Sequence, residues 1–210
     1  MKVNIGCGSV KPAGWINVDY SLGARLSRIP LYKQFNNHLK LFDLDPNGNP
    51  WNWDGVLVRD LRKKFPWEDE TVDVVYASHI VEHFSKEEGL RLLKECHRII
   101  KSNGIIRIVV PDLKVLVDRY IAGTLRSDDF VEKLGVLYES RQSRIKDFLS
   151  TLMQFPHKCM YDTSNMISVL DSIGFDAKGM VPFESRIEDI KSIELEERTV
   201  DAVIVEGVKR

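Results

Sequence analysis

The chain has 210 residues, with 30 Lys and Arg against 31 Asp and Glu, so its net charge of -1 gives no global pull toward nucleic acid. No apolar run reaches the roughly 18 residues of a membrane span, and the first residues read as a strand rather than a signal peptide. Cys7, Cys96 and Cys159 are far apart and odd in number, which excludes a closed disulfide framework and fits a reducing, cytoplasmic compartment.

In chain order, Asn4-Ile5-Gly6-Cys7-Gly8 reads as a strand entering a glycine turn, and Gly14 to Asp19 as a second strand ending in a carboxylate. Residues 21–55 are less regular. Val56-Leu57-Val58 predicts a short third strand and Val72 to Ala77 a stronger fourth. Ser85 with Glu88 forms a capping box, Leu90, Leu93, Cys96, Ile99 and Ile100 make an apolar stripe, and Asn103-Gly104 reads as the helix stop. Ile105 to Val110, nearly all apolar, predicts a fifth strand buried on both faces and stopped by Pro111. Helical patterns then fill residues 112 to about 154, and a further helix is expected from Thr163 to Ile173, closed by Gly174. Phe175 to Val181 and Val200 to Val208 read as two last strands, an antiparallel pair. The alternation predicts a mostly parallel α/β sheet in one domain, residues 1–210, with lid or substrate segments at about 21–55 and 112–160.

The chemistry starts at the first turn. Glycines let the backbone approach a ligand closely, because no Cβ intervenes, and a carboxylate at the tip of the next strand can accept both hydroxyls of a ribose. Gly6, Gly8 and Asp19 therefore point to a nucleoside cofactor. A nicotinamide-dependent reductase would want a third glycine in G-x-G-x-x-G, and residue 11 is Lys.

Asp60-Leu61-Arg62, the run from Phe65 to His79, and Glu82-His83 together resemble the class I S-adenosylmethionine-dependent methyltransferases, in the compact branch whose second strand reads Gly-Trp-Ile-Asn-Val-Asp. Leu92 to Ile105 resembles that family's helix, its glycine turn and its fifth strand. The resemblance is dense over residues 2–111 and implies a Rossmann-like, seven-stranded sheet with the last strand antiparallel. It further implies S-adenosylmethionine as cofactor, lying across the carboxyl ends of the strands. Gly6, Cys7 and Gly8 would pass under its methionine part, Asp19 would hold the ribose, Asp60 and the Leu61 amide would meet the adenine, and Ser78 and His79 would flank the amino-acid moiety. His83, Asp112, His157 and Tyr161 are the candidates on the substrate side. The acceptor expected is a small molecule or a glycan-pathway intermediate.

Two departures stand out. Asn4 occupies a position where the family usually has Asp or Glu, which removes an ionic contribution toward the cofactor's amino group. Gly8 and Asp19 are only eleven residues apart, and Pro12 and Gly14 lie between them, so the first crossover has no helix. That predicts a sheet face left for another segment to cover, residues 21–50 being the candidate. The same departures motivate an alternative, a cofactor-binding regulator or degenerate enzyme without turnover.

His79-Ile80-Val81-Glu82-His83 also matches the H-x-x-E-H pattern of inverted zinc proteases. Ser85 starts the helix after this motif, and the family resemblance accounts for both histidines, so no metal is expected. Trp51, Trp53 and Trp67 either line a cleft or cover the sheet. Arg25, Arg28, Lys33 and Lys40 lie in residues 23–40 without an acidic neighbour, either as a solvated face or as a weak peripheral contact with anionic substrate or lipid. Asp162 reads as an N-cap.

Overall fold

The computed structural model describes residues 1–32, 34, 51–136 and 156–210. Its seven strands are β1 (Lys2–Ile5), β2 (Trp15–Asp19), β3 (Leu57–Val58), β4 (Val72–Ser78), β5 (Ile100–Pro111), β6 (Phe175–Gly179) and β7 (Ala202–Lys209). They form one sheet in the order β3-β2-β1-β4-β5-β7-β6. The pairs β1–β2, β1–β4, β2–β3 and β4–β5 are parallel, and β7 runs antiparallel to both β5 and β6. The helices are α1 (Leu22–Leu26), α2 (Lys86–Ile99), α3 (Leu113–Ile121), α4 (Ser127–Lys133), α5 (Thr163–Ile173) and α6 (Glu196–Thr199). Of the predicted helical insertion, α3 and α4 are described. Residues 137–155 and 35–50, with Lys33 and Lys40, lie outside the described residues.

Side-chain alternation along the strands sorts the core into two faces. On one, Val3, Ile5, Val75, Ala77, Ile106 and Ile108 pack against Leu92, Leu93 and Cys96 of α2 and Met166 and Leu170 of α5. Both helices start as their sequences predict. Ser85 accepts from Glu88 N at 3.3 Å while the Glu88 carboxylate returns to Ser85 N at 3.1 Å, and Asp162 accepts from Asn165 N at 2.8 Å. Gly174 closes α5 at φ 117°. The end of α2 differs from expectation: Ile100 is already extended, at φ -72° and ψ 135°, so the chain enters β5 before Asn103-Gly104. A register shift between Val72 and Val74 absorbs residues 101–104, and Lys209 donates to the Ile100 carbonyl at 2.8 Å.

The other face shows what replaces the first crossover helix. Residues 6–14 form a helix-free loop, as expected. The described part of residues 21–50 is not the cover, however. Ala24 of α1 packs with Cys7, Trp53 and Val56, a small cluster apart from this face. The face is covered instead by the connection between β6 and β7, whose Ile187, Ile190 and Ile193 pack on Trp15, Val74, Tyr76, Val109 and Ile204. Arg107 of β5 anchors that connection. Its guanidinium is fully buried and bidentate to Glu194 at 2.8 and 2.9 Å, and it also donates to the carbonyls of Glu184 at 2.9 Å and Val181 at 3.3 Å. Glu206 of β7 completes the cluster 3.3 Å away. A second tie is Asp189, which accepts from the Trp15 indole at 2.8 Å and pairs with Lys2.

The helix-free loop itself is closed by Asn4. Its amide donates to the Val10 carbonyl at 2.9 Å and to the Asn17 side-chain oxygen at 3.1 Å. A carboxylate in its place has no hydrogen to give. Asn4 is thus the residue that the short crossover requires, whatever else it does for a ligand.

Candidate functional site

Parallel α/β sheets bind ligands beyond the carboxyl ends of their strands, and a cleft of about 420 Å³ opens there, past β1, β2 and β4. Its floor is the turn after β1. Gly6 has φ 68°, and a Cβ there would stand 2.7 Å from Ile80, so only glycine fits. Gly8 has φ 53°, and its α-carbon faces the open cleft beside Trp51 and Arg198. The Cys7 side chain turns the other way, into the cluster with Ala24 and Trp53, and burial pushes its thiol up to about 12. Its part in the site is therefore its backbone.

Asp19 lies at the tip of β2 and lines the cleft. One oxygen accepts from Gly8 N at 2.9 Å and the other from Ser21 N at 2.7 Å. Each oxygen keeps a further lone pair, so the carboxylate is both fixed and able to accept two more donors. Asp60 and Leu61 also line the cleft. Asp60 is clamped by Arg62 through bonds of 2.9 and 2.8 Å, which hold its carboxyl below the usual range. Any further donor to Asp60 must share it with Arg62.

At the end of β4, Ser78 lines a small hollow with Asn4, Gly6 and Arg198. His79 follows in a left-handed conformation, φ 52°. Such strain costs about 1–3 kcal/mol and collects at functional sites. Its Nε2 lies 2.9 Å from the Arg198 carbonyl. His83 lines the same cleft from a short 3-10 turn, Val81–His83. The His157 ring lies beside it, centroids 5.1 Å apart, but does not line the cleft. Glu82 lies beside them, one carboxylate oxygen 4.0 Å from His157 Nε2, fully buried, and burial pushes its carboxyl up to about 8.

Besides His157, two more of the substrate-side candidates do not line the cleft. Asp112 caps α3, accepting from Lys114 N at 2.8 Å, and Tyr161 is a core residue bridged to it, its phenol pushed up by burial. Conversely, sequence reasoning missed Arg198 and Lys158, which both line the cleft. Lys158 adjoins His157 in a segment already singled out. Arg198 lies in Glu196-Glu197-Arg198-Thr199, a run that reads as a solvated helical face and carries no local signal.

Arg198 stands where the missing helix matters most. In a doubly wound sheet the helix N-terminus after the glycine turn attracts an anion. Here no helix follows Gly8, and the Arg198 guanidinium comes within 4.0 Å of where a Gly8 Cβ would stand. It donates weakly to the Ser78 carbonyl at 3.5 Å, and no carboxylate among the described residues pairs with it. The cleft therefore combines a fixed carboxylate for hydroxyls, a glycine floor for close approach, and a guanidinium that no carboxylate among the described residues bonds directly. That donor and acceptor set fits S-adenosylmethionine, with its ribose, sulfonium and terminal carboxylate.

The family described as "Methyltransferase domain" matches residues 3–108, half of the chain. No curated protein matches the chain. Among solved structures, the YcgJ protein from Bacillus subtilis is 12% identical, with a TM-score of 0.50 over 100% of this chain and 91% of that one. A SAM-dependent methyltransferase from Archaeoglobus fulgidus is 18% identical, with a TM-score of 0.48 over 99% and 85%. One from Thermotoga maritima, titled a possible histamine N-methyltransferase, is 17% identical, with a TM-score of 0.48 over 100% and 81%. The likeness to the Bacillus protein is one of fold. The match over residues 3–108, on a sheet ending in this cleft, identifies the chain as a member of the class I S-adenosylmethionine-dependent methyltransferases.

Proposed function

We propose that the protein is an active methyltransferase, transferring a methyl group to a small, polar acceptor such as a glycan-pathway intermediate. The observation that supports this best is Asp19, held by Gly8 N and Ser21 N with lone pairs left over and set in a cleft at the strand ends. S-adenosylmethionine, when bound, supplies a methyl group already activated on a sulfonium. The chain's own contribution is alignment and exclusion of water. Asp19 orients the ribose, and Asp60 with Leu61 faces the adenine. Gly6 and Gly8 let the methionine part approach the backbone, and Arg198 pairs with its carboxylate. His79, His83 and Lys158 line the same cleft and would face a hydroxyl or amine acceptor entering it. Tyr20 and Arg25 stand at the mouth, with the guanidinium 5.1 Å from the ring centroid.

Turnover distinguishes this reading from a regulator that binds the cofactor without transferring anything. Incubation with methyl-labelled S-adenosylmethionine and a metabolite extract is expected to move label into a small, polar product. Tight cofactor binding with no label transferred to any acceptor would favour the regulator. Among the described residues no helix is long and apolar enough to cross a membrane.

A further inference from the structure

The H-x-x-E-H motif does not form the zinc-protease geometry, because His79 is left-handed and His83 ends a 3-10 turn, so the two do not share a helix face. A different arrangement takes its place. His157, 75 residues along the chain from Glu82, folds back onto it, its neighbours Lys158 and Cys159 donating their N–H groups to the Glu82 carbonyl at 2.8 and 3.1 Å. We propose that Glu82, His83 and His157 form a binding site for a divalent transition-metal ion of the zinc class. This inference is independent of the methyltransferase reading.

Three observations carry it. First, one ligand atom from each of the three residues lies within 4.8 Å of the others. Second, the Glu82 carboxylate is fully buried, and neither oxygen has a hydrogen-bond partner. A buried carboxylate without donors costs several kcal/mol unless something positive reaches it. Third, the imidazoles nearest to it cannot serve as donors in their neutral forms. His157 Nδ1 lies 2.7 Å from the Leu134 carbonyl, and a carbonyl only accepts, so Nδ1 carries the hydrogen and Nε2 turns its lone pair toward Glu82 at 4.0 Å. His79 repeats the pattern, with Nε2–H on the Arg198 carbonyl and the Nδ1 lone pair 3.6 Å from Glu82. His79 and His157 thus both turn a lone pair, not an N–H, toward the Glu82 carboxylate. A single proton on Glu82 can satisfy one imidazole and leaves the other facing an oxygen.

A metal ion held by Glu82, His83 and His157 would neutralise the carboxylate and take the His157 lone pair. Backbone carbonyls that fix the tautomer from behind are the usual outer partners of metal-bound histidines. Mixed imidazole and carboxylate donors suit zinc and its neighbours rather than magnesium or calcium. Tetrahedral zinc needs ligand atoms about 3.3–3.6 Å apart, from bond lengths near 2.0–2.2 Å. The 4.0 Å between His157 and Glu82 closes to that by a small rotation of the ring. Three protein ligands leave a fourth position open, and one of the three, His83, also lines the cleft.

The test uses the full chain, stripped with a chelator, its fold checked by circular dichroism. It is titrated with Zn2+ by calorimetry and with Co2+ by visible absorption. The expected result is one ion per chain, d–d bands of a low-symmetry cobalt site, and a melting temperature raised by Zn2+. Glu82→Gln and His157→Ala should each weaken binding at least about tenfold, whereas His97→Ala, packed on Phe175 elsewhere, should not. If Glu82→Gln fails to fold, His157→Ala and the Zn2+-dependent melt of the unaltered protein decide. Absence of stoichiometric binding by the unaltered protein, or equal binding by folded His157→Ala, overturns the proposal. Titration of the same sample with S-adenosylhomocysteine keeps the two readings apart, since either ligand can bind without the other.

Discussion

Replacing Asn4 by Asp tests why this chain departs from an acidic residue at the end of β1. The substitution is nearly isosteric, at a side chain only 3% exposed. It deletes the donors to the Val10 carbonyl and the Asn17 oxygen, bonds of 2.9 and 3.1 Å. Two lost hydrogen bonds cost about 1 kcal/mol each, and an orphaned buried carbonyl adds about 1–3 kcal/mol. Asn17 can flip its amide toward the new carboxylate, but it then gives up its own 3.3 Å bond to the Trp15 carbonyl and leaves Val10 unpaired. The net expectation is about 3 kcal/mol, or a melting temperature lower by roughly 6–12 °C for a chain of this size. The pH dependence has a definite sign. Buried without donors, the introduced carboxyl has a folded pKa above its unfolded value of about 3.9. Its penalty is smallest at acid pH, where a protonated carboxyl restores one donor, and grows as pH rises through the folded value. Thermal melts of both proteins at pH 5 and pH 8 should therefore show a gap that widens at pH 8. A variant as stable as the parent at pH 8, binding S-adenosylhomocysteine more tightly, would refute the loop-closing role.

Arg198→Gln should weaken S-adenosylhomocysteine by about tenfold or more, the worth of a charged hydrogen bond, while leaving methylthioadenosine, which lacks the carboxylate, unchanged in the same calorimeter. Equal loss for both ligands would mean that Arg198 only supports the fold. Arg107→Met strands Glu194 and Glu206 in the core and should cost about 3–5 kcal/mol by urea denaturation; a change below about 1 kcal/mol would contradict the anchoring role of that cluster. Gly6→Ala places a methyl 2.7 Å from Ile80 at φ 68°, and should abolish cofactor binding or lower stability by about 2 kcal/mol or more; unchanged binding and melting would show that the turn has slack.

Much of this architecture was legible because its signals are local. The Ser85–Glu88 box, the Asp162 and Gly174 caps and the alternation of β4 each depend on neighbours within a few residues. Gly6, Gly8 and Asp19 were equally readable, since a turn and the next strand tip must meet at one end of a parallel sheet. The cover of the helix-free face was not. Ile187, Ile190 and Ile193 sit among charged residues in an irregular segment without helical or strand period, and the Arg107 that holds it looked like an exception in an apolar strand. Arg198 and the approach of His157 to Glu82 were hidden for the same reason: each joins residues more than 70 positions apart. The early end of α2 reflects tertiary override, because Ile100 gains a partner in β4 that a further helical turn would forfeit.

On this reading the Gly6–Gly8 turn and Asp19 form the cofactor site. Calorimetric titration of S-adenosylhomocysteine into the unaltered protein and into Asp19→Ala decides this. The prediction is one site per chain in the unaltered protein and about a hundredfold loss in the variant, as two charged ribose contacts at about 1.5–3 kcal/mol each would give at the low end. No binding to the unaltered protein, or equal binding to both, would contradict it.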